Sequence, residues 1–210
     1  TERLIGAGAK VQTSTRYGIT PIYLASQNGS GVILALLLDA GADPNQIYRE
    51  GETVLMTAVR TGDYDSVKML LEKGAKVEER EGWHGQTALM WAAAQGHADL
   101  VSLLVSHGAK VNAVSNVEEW ERQVTDEPRE KWLPPGGMTP LHFAAREGCT
   151  ACIGELLKAG AKINATTPKG ITSLLIAIIN GHYDTAWALV EAGADVNLYD
   201  DTMRSPLYAA

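Results

Sequence analysis

The residues with most scope for chemistry are Cys149 and Cys152, spaced Cys-x-x-Cys at the start of a helical segment. A helix N-terminus lowers a thiol pKa, which makes such a pair a candidate for disulfide or redox chemistry. A redox role also requires an exposed nucleophile, whereas Cys152 is in register with Ile33, Ser66, Leu100 and Thr185, a mixed position with buried character. Both readings stay open here. Two cysteines are too few for a disulfide framework and leave the redox compartment undecided. His97 and His182 stand at the position of Cys149 in equivalent segments, but packed helices lie about 8–10 Å apart, too far to share ligand bonds of about 2 Å. No metal is expected. The acid pairs Glu78-Glu79 and Glu118-Glu119 read as solvated loop charge rather than a general acid and base. There is no Gly-rich phosphate loop, nucleophile elbow or His-Glu-x-x-His. The expectation is a chain with no catalytic residue and no cofactor, not an enzyme.

The elements that must position these side chains follow from an internal repeat. Gly-x-Thr occurs at Gly18, Gly51, Gly85, Gly137 and Gly170. A turn glycine follows at Gly29, Gly62, Gly96, Gly148 and Gly181, and a closing Gly-Ala at Gly41, Gly74, Gly108, Gly160 and Gly193. All three series step by 33, 34, 52 and 33 residues. Each marker has a physical job. Thr20 and Thr139 suit a helix N-cap, and the prolines after them suit the first helical position. The turn glycine ends a short first helix. A second helix carries apolar residues at helical spacing, as in Val67, Leu70 and Leu71 or Leu100, Val101, Leu103 and Leu104. The closing glycine ends it, and a short extended segment leads to the next cap.

Thr139-Pro140-Leu141-His142-Phe143-Ala144-Ala145 resembles the Thr-Pro-Leu-His-x-Ala signature of ankyrin repeats. The likeness covers nearly the whole chain, although Val54, Ala88 and Ser173 replace the proline and His142 is the only histidine at its position. Bacterial ankyrin proteins with an insertion at a loop tip look similar. The resemblance implies an all-α solenoid of stacked helix-turn-helix units joined by hairpin loops. Five units are expected at 18–50, 51–84, 85–136, 137–169 and 170–202, with partial units at 1–17 and 203–210. Because solenoid ends need polar caps, further repeats are expected beyond both ends.

The 52-residue step leaves a 19-residue insertion within Ala113–Gly136, carrying Trp120 and Trp132. Pro128, Pro134 and Pro135 argue against a long helix there. Two tryptophans argue against plain disorder, so the segment either packs on its own solenoid or joins a partner surface. Ankyrin-like solenoids bind through hairpin tips and the exposed side of first helices. Carried over position by position, this marks Arg60, Gln95, Arg146, Glu147 and Asn180 before the turn glycines, and Tyr48, Arg49, Arg80, Trp83, His84 and Tyr199 at the tips. Tyr, Trp and Arg are enriched at binding hot spots, yet exposed tips also collect such residues for packing on neighbours. Trp91 and Phe143 read as core residues or as an apolar floor.

With 18 Lys+Arg against 25 Asp+Glu, the formal charge is −7, and no Lys/Arg run exceeds two residues. That balance disfavours nucleic acid, whose affinity rests on cationic side chains releasing counterions. No apolar run approaches the roughly 18 residues of a membrane span. The expectation is a soluble scaffold, of undecided compartment, for a protein partner. A redox-responsive module using Cys149 and Cys152, or a structural spacer, are the alternatives.

Overall fold

A computed structural model describes residues 1–117 and 136–209. After a short α1 (Glu2–Gly6), the helices come in pairs: α2 (Pro21–Gln27) with α3 (Gly31–Asp39), α4 (Val54–Thr61) with α5 (Tyr64–Glu72), and α6 (Ala88–Ala94) with α7 (Ala98–Ser106). Two more pairs follow, α8 (Pro140–Arg146) with α9 (Thr150–Lys158) and α10 (Ser173–Ile179) with α11 (Tyr183–Glu191), and then a last turn, α12 (Pro206–Ala209). Among the described residues there is no strand, only the isolated bridges Ile47–Thr53, Val117–Gly136 and Thr166–Thr172 at the hairpin necks. The all-α solenoid is therefore observed.

Each pair packs on itself and on the pair before it, so α2, α4, α6, α8, α10 and α12 form an inner layer and α3, α5, α7, α9 and α11 an outer one. The core lies between the layers. Leu37, Leu70, Leu104, Leu156 and Leu189 hold one register of the outer helices and are at most 3% exposed. Helices of seven to nine residues are too short to persist alone in water. Burial against both neighbours makes them stable.

Capping sets where the inner helices begin. Thr20, Thr53, Thr87 and Thr172 each accept the N–H of the residue three positions on, so loss of the following proline leaves the caps intact. In α8 the arrangement differs. His142 Nδ1 accepts the Thr139 N–H at 3.1 Å, and its Nε2 lies 3.2 Å from the Ile171 carbonyl of the next pair. A carbonyl only accepts, so Nε2 carries the proton and the ring is a neutral bridge between repeats. Burial pushes its pKa down to about 4, against the smaller upward effect of the Ile171 carbonyl.

The hairpins are clamped by side chains of the closing segments. Asn45 donates to Gly74 O and accepts from Lys76 N. Glu78 accepts from Lys110 N. Asn112 repeats the Asn45 pattern on Gly160 O and Lys162 N, at 3.0 and 2.8 Å. The last of these joins the segments on either side of the insertion. The extra residues thus leave the solenoid in register and emerge from a neck closed by the Val117–Gly136 bridge.

Candidate functional site: the inner face and hairpin tips

The first two hairpins bring an arginine and tyrosine cluster together. Arg16 and Tyr17 come from the first, Tyr48 and Arg49 from the second. The Arg16 guanidinium lies 4.8 Å from the Tyr17 ring centroid and that of Arg49 lies 5.8 Å from the same centroid. Neither arginine has a carboxylate partner among the described residues. Two cations gathered on one ring gain cation–π attraction but repel one another. Such a pair is prepared for an incoming anion.

Beside it, Tyr48 stacks on Tyr23 of α2 with centroids 4.0 Å apart. Burial raises the Tyr23 phenol above its ordinary value, and the nearby Glu52 adds to this. Glu52 also receives the Thr57 hydroxyl at 2.8 Å and pairs with Arg60 at 3.4 Å. Arg60 in turn stands 5.8 Å from the ring centroid of Trp91 on α6. A continuous band therefore runs over three inner helices, from Tyr48 through Tyr23 and Arg60 to Trp91. Trp91 Nε1 is buried without a hydrogen-bond partner among the described residues, an unmet donor at the end of this band.

The other sequence-predicted positions separate by role. Arg146 stacks 5.1 Å from the Phe143 centroid and pairs with Glu147 at 2.9 Å, at the end of α8. Phe143 itself is core, 3% exposed. Gln95 is exposed at the end of α6, and Asn180 donates to Ile176 O of its own helix. Trp83 and His84 stack on each other at the third tip, above a buried Glu81 carboxylate that accepts the N–H groups of Trp83, His84 and Gln86. Arg80 is committed to packing, its guanidinium donating to Gly85 O and to Val114 O of the following hairpin. Tyr199 is exposed at the last hairpin, far along the stack from Tyr48. Trp120 and Trp132 lie outside the described residues.

Sequence reasoning missed Arg16, Tyr17 and Tyr23. A signal existed for the first: Arg16 occupies the same register as Arg49, one repeat earlier. Cys149 and Cys152 are joined in a disulfide with Cα atoms 5.2 Å apart, within the span such bonds require. No described helix is long and apolar enough to cross a membrane, and no described group of three His, Cys, Asp or Glu residues could hold a metal ion.

A family model described as ankyrin repeats matches residues 1–81, 50–115, 78–166 and 118–200. Among curated proteins, the chain is 42% identical over 92 residues to the neurogenic locus Notch protein of Drosophila melanogaster, covering 36% of this chain and 3% of that one. It is 36% identical over 149 residues to the E3 ubiquitin-protein ligase XB3 of Oryza sativa subsp. japonica, covering 71% and 32%. It is 38% identical over 74 residues to a putative ankyrin repeat-containing protein of Treponema pallidum, covering 35% and 25%. The chain thus spans a third or less of the length of each of these relatives. With the family model covering nearly its whole length, the chain belongs to the ankyrin-repeat family, whose repeats serve protein–protein interaction.

Proposed function

We propose that this chain is a scaffold that docks a protein partner on its inner helix ends and hairpin tips, and that Arg16, Tyr17, Tyr48 and Arg49 are the anchor of that surface. The single observation that carries this is the placement of two guanidinium groups on one Tyr17 ring with no carboxylate among the described residues to neutralise them. The geometry suits a partner segment that presents a carboxylate beside an apolar side chain. Arginine and tyrosine supply large rigid contact area at such sites. Nucleic acid is disfavoured as the partner by the formal charge of −7. Within this reading the chain is one solenoid with units 18–50, 51–84, 85–136, 137–169 and 170–202.

The test is affinity capture with wild type, an Arg16→Ala/Arg49→Ala chain, and a Trp187→Ala control whose tryptophan is 64% exposed on the outer layer. Partners retained by wild type and by the control should be lost, by at least about tenfold in affinity, from the double variant. Partners lost from the Trp187→Ala chain and kept by the double variant would move the interface to the outer helices and overturn the proposal.

A further inference from the structure

We infer that Cys149 and Cys152 form a thiol–disulfide exchange site, whose disulfide takes two electrons from a dithiol substrate. The argument begins with helix capping. Cys149 is the N-cap of α9 and Cys152 stands three positions on, and the Cys152 N–H donates to Cys149 Sγ at 3.1 Å. A side chain that caps a helix in this way must lie over the third helical residue. In the α4–α5 unit Asp63 does the same, accepting from Ser66 N and from the Ser66 hydroxyl. Cysteines at these two positions therefore meet for the reason Asp63 and Ser66 meet, and in this unit alone both side chains carry sulfur.

The two sulfurs are unequal. Cys152 is 0% exposed, beneath the helix end, whereas Cys149 is half-buried at the surface. An incoming thiolate must approach along the S–S axis from the side away from the leaving sulfur. With Cys152 inside, Cys149 Sγ is the sulfur that a thiolate can reach, at the surface beside the Gly96 carbonyl 3.6 Å away. The thiolate of the dithiol attacks Cys149 Sγ, the S–S bond breaks, and Cys152 leaves with the electron pair and takes a proton. Cys149 is then held in a mixed disulfide with the substrate. The second substrate thiolate attacks its own sulfur in that mixed disulfide and releases Cys149. The substrate departs as a disulfide, and the two electrons remain on the protein as a Cys152 thiol and a Cys149 thiolate, the second substrate proton going to solvent. The Cys152 N–H and the positive end of α9 favour negative charge on the released Cys149 Sγ.

The surroundings suit opening and closing without unfolding. The turn before α9 is held from the next repeat, with the Thr185 hydroxyl on Gly148 O at 3.0 Å and His182 Nε2 at 3.0 Å from Arg146 O. Thr150 and Thr185 share a hydroxyl hydrogen bond of 2.8 Å, and Cys149 N donates to Ala144 O at 2.9 Å. These contacts do not involve the sulfur atoms. A cross-link over a sequence separation of 3 closes one of the shortest loops a disulfide can close, and so constrains the unfolded chain least. Stapling the fold is a poor account of it, and exchange is a better one. The inference stands apart from the docking proposal, and either can fail alone.

The experiment uses the folded chain purified without reductant. Dithiothreitol without denaturant should convert it to a dithiol, shown by intact mass after N-ethylmaleimide quenching. Exposure of Cys152→Ser to glutathione disulfide should trap glutathione on Cys149, while Cys149→Ser should leave Cys152 at least roughly tenfold slower to react. Ser66 holds the Cys152 register in another repeat, so the Ser variant should fold. Cys152→Ala, with an unchanged circular dichroism spectrum, repeats the trap without a new hydroxyl. Three results would each overturn the inference: both cysteines alkylated in the unreduced chain, reduction only in denaturant, or equal glutathione trapping at the two positions.

Discussion

Lowering the pH should weaken the solenoid through one ring. His142 is 0% exposed and joins the Thr139 N–H to the Ile171 carbonyl in its neutral form. Its pKa falls from 6.5 in the open chain to about 4 in the fold. Between those values the unfolded chain binds a proton that the folded chain does not, so stability falls as pH falls through that window. The contribution is fully present above pH 6.5 and gone below pH 4. At about 1.4 kcal/mol per unit, the depression corresponds to about 3 kcal/mol. The perturbation is His142→Leu, since Leu175 fills the same register in the next unit and is 0% exposed. At pH 7 the variant should be less stable by about 1–3 kcal/mol, because the buried Thr139 N–H loses its partner while the Ile171 carbonyl keeps the Thr167 N–H. Urea unfolding at 25 °C, followed by circular dichroism from pH 7 to pH 4, should show the difference between the two chains shifting by about 3 kcal/mol in favour of the variant. Carboxylates titrate in both chains and cancel in the difference. A gap that stays constant within about 1 kcal/mol would refute the assignment of a neutral, buried ring.

Gly62 has φ 73°, and a Cβ there would sit 2.7 Å from the His97 ring, whereas Gly29 has φ 60° and open space around it. Gly29→Ala should therefore cost about 1 kcal/mol from backbone strain alone, and Gly62→Ala clearly more in the same urea assay, with His97→Ala added to Gly62→Ala removing the excess. Asn112→Ala should cost about 1 kcal/mol by loss of its two contacts across the insertion, while Asn197→Ala, whose side chain clamps no following hairpin, should stay within about 0.5 kcal/mol. Equal losses for the two Asn variants would show that these clamps do not couple the repeats.

Much of the architecture was legible because each repeat unit depends on local chemistry. Threonine caps, turn glycines and apolar residues at helical spacing act over four residues or fewer, and their spacing survives in the linear chain. Leu70 and Leu104 were legible as apolar positions of a second helix because their register recurs, and both are buried. The site was harder to read. Tyr48 and Arg49 were recognised as tip residues, but their meeting with Tyr23 and Tyr17 joins residues of separate repeats. Arg80 shows the opposite case, a tip arginine whose donors are taken by backbone carbonyls.

Sequence alone determined the helix pairs, their family and the acidic balance that disfavours nucleic acid, since these depend on residue type and near spacing. Only the tertiary structure decided which side chains share a ring and which carbonyl holds a guanidinium. Those outcomes depend on where successive repeats place their faces, and a distance across a stack of helices has no signature in the spacing along one chain.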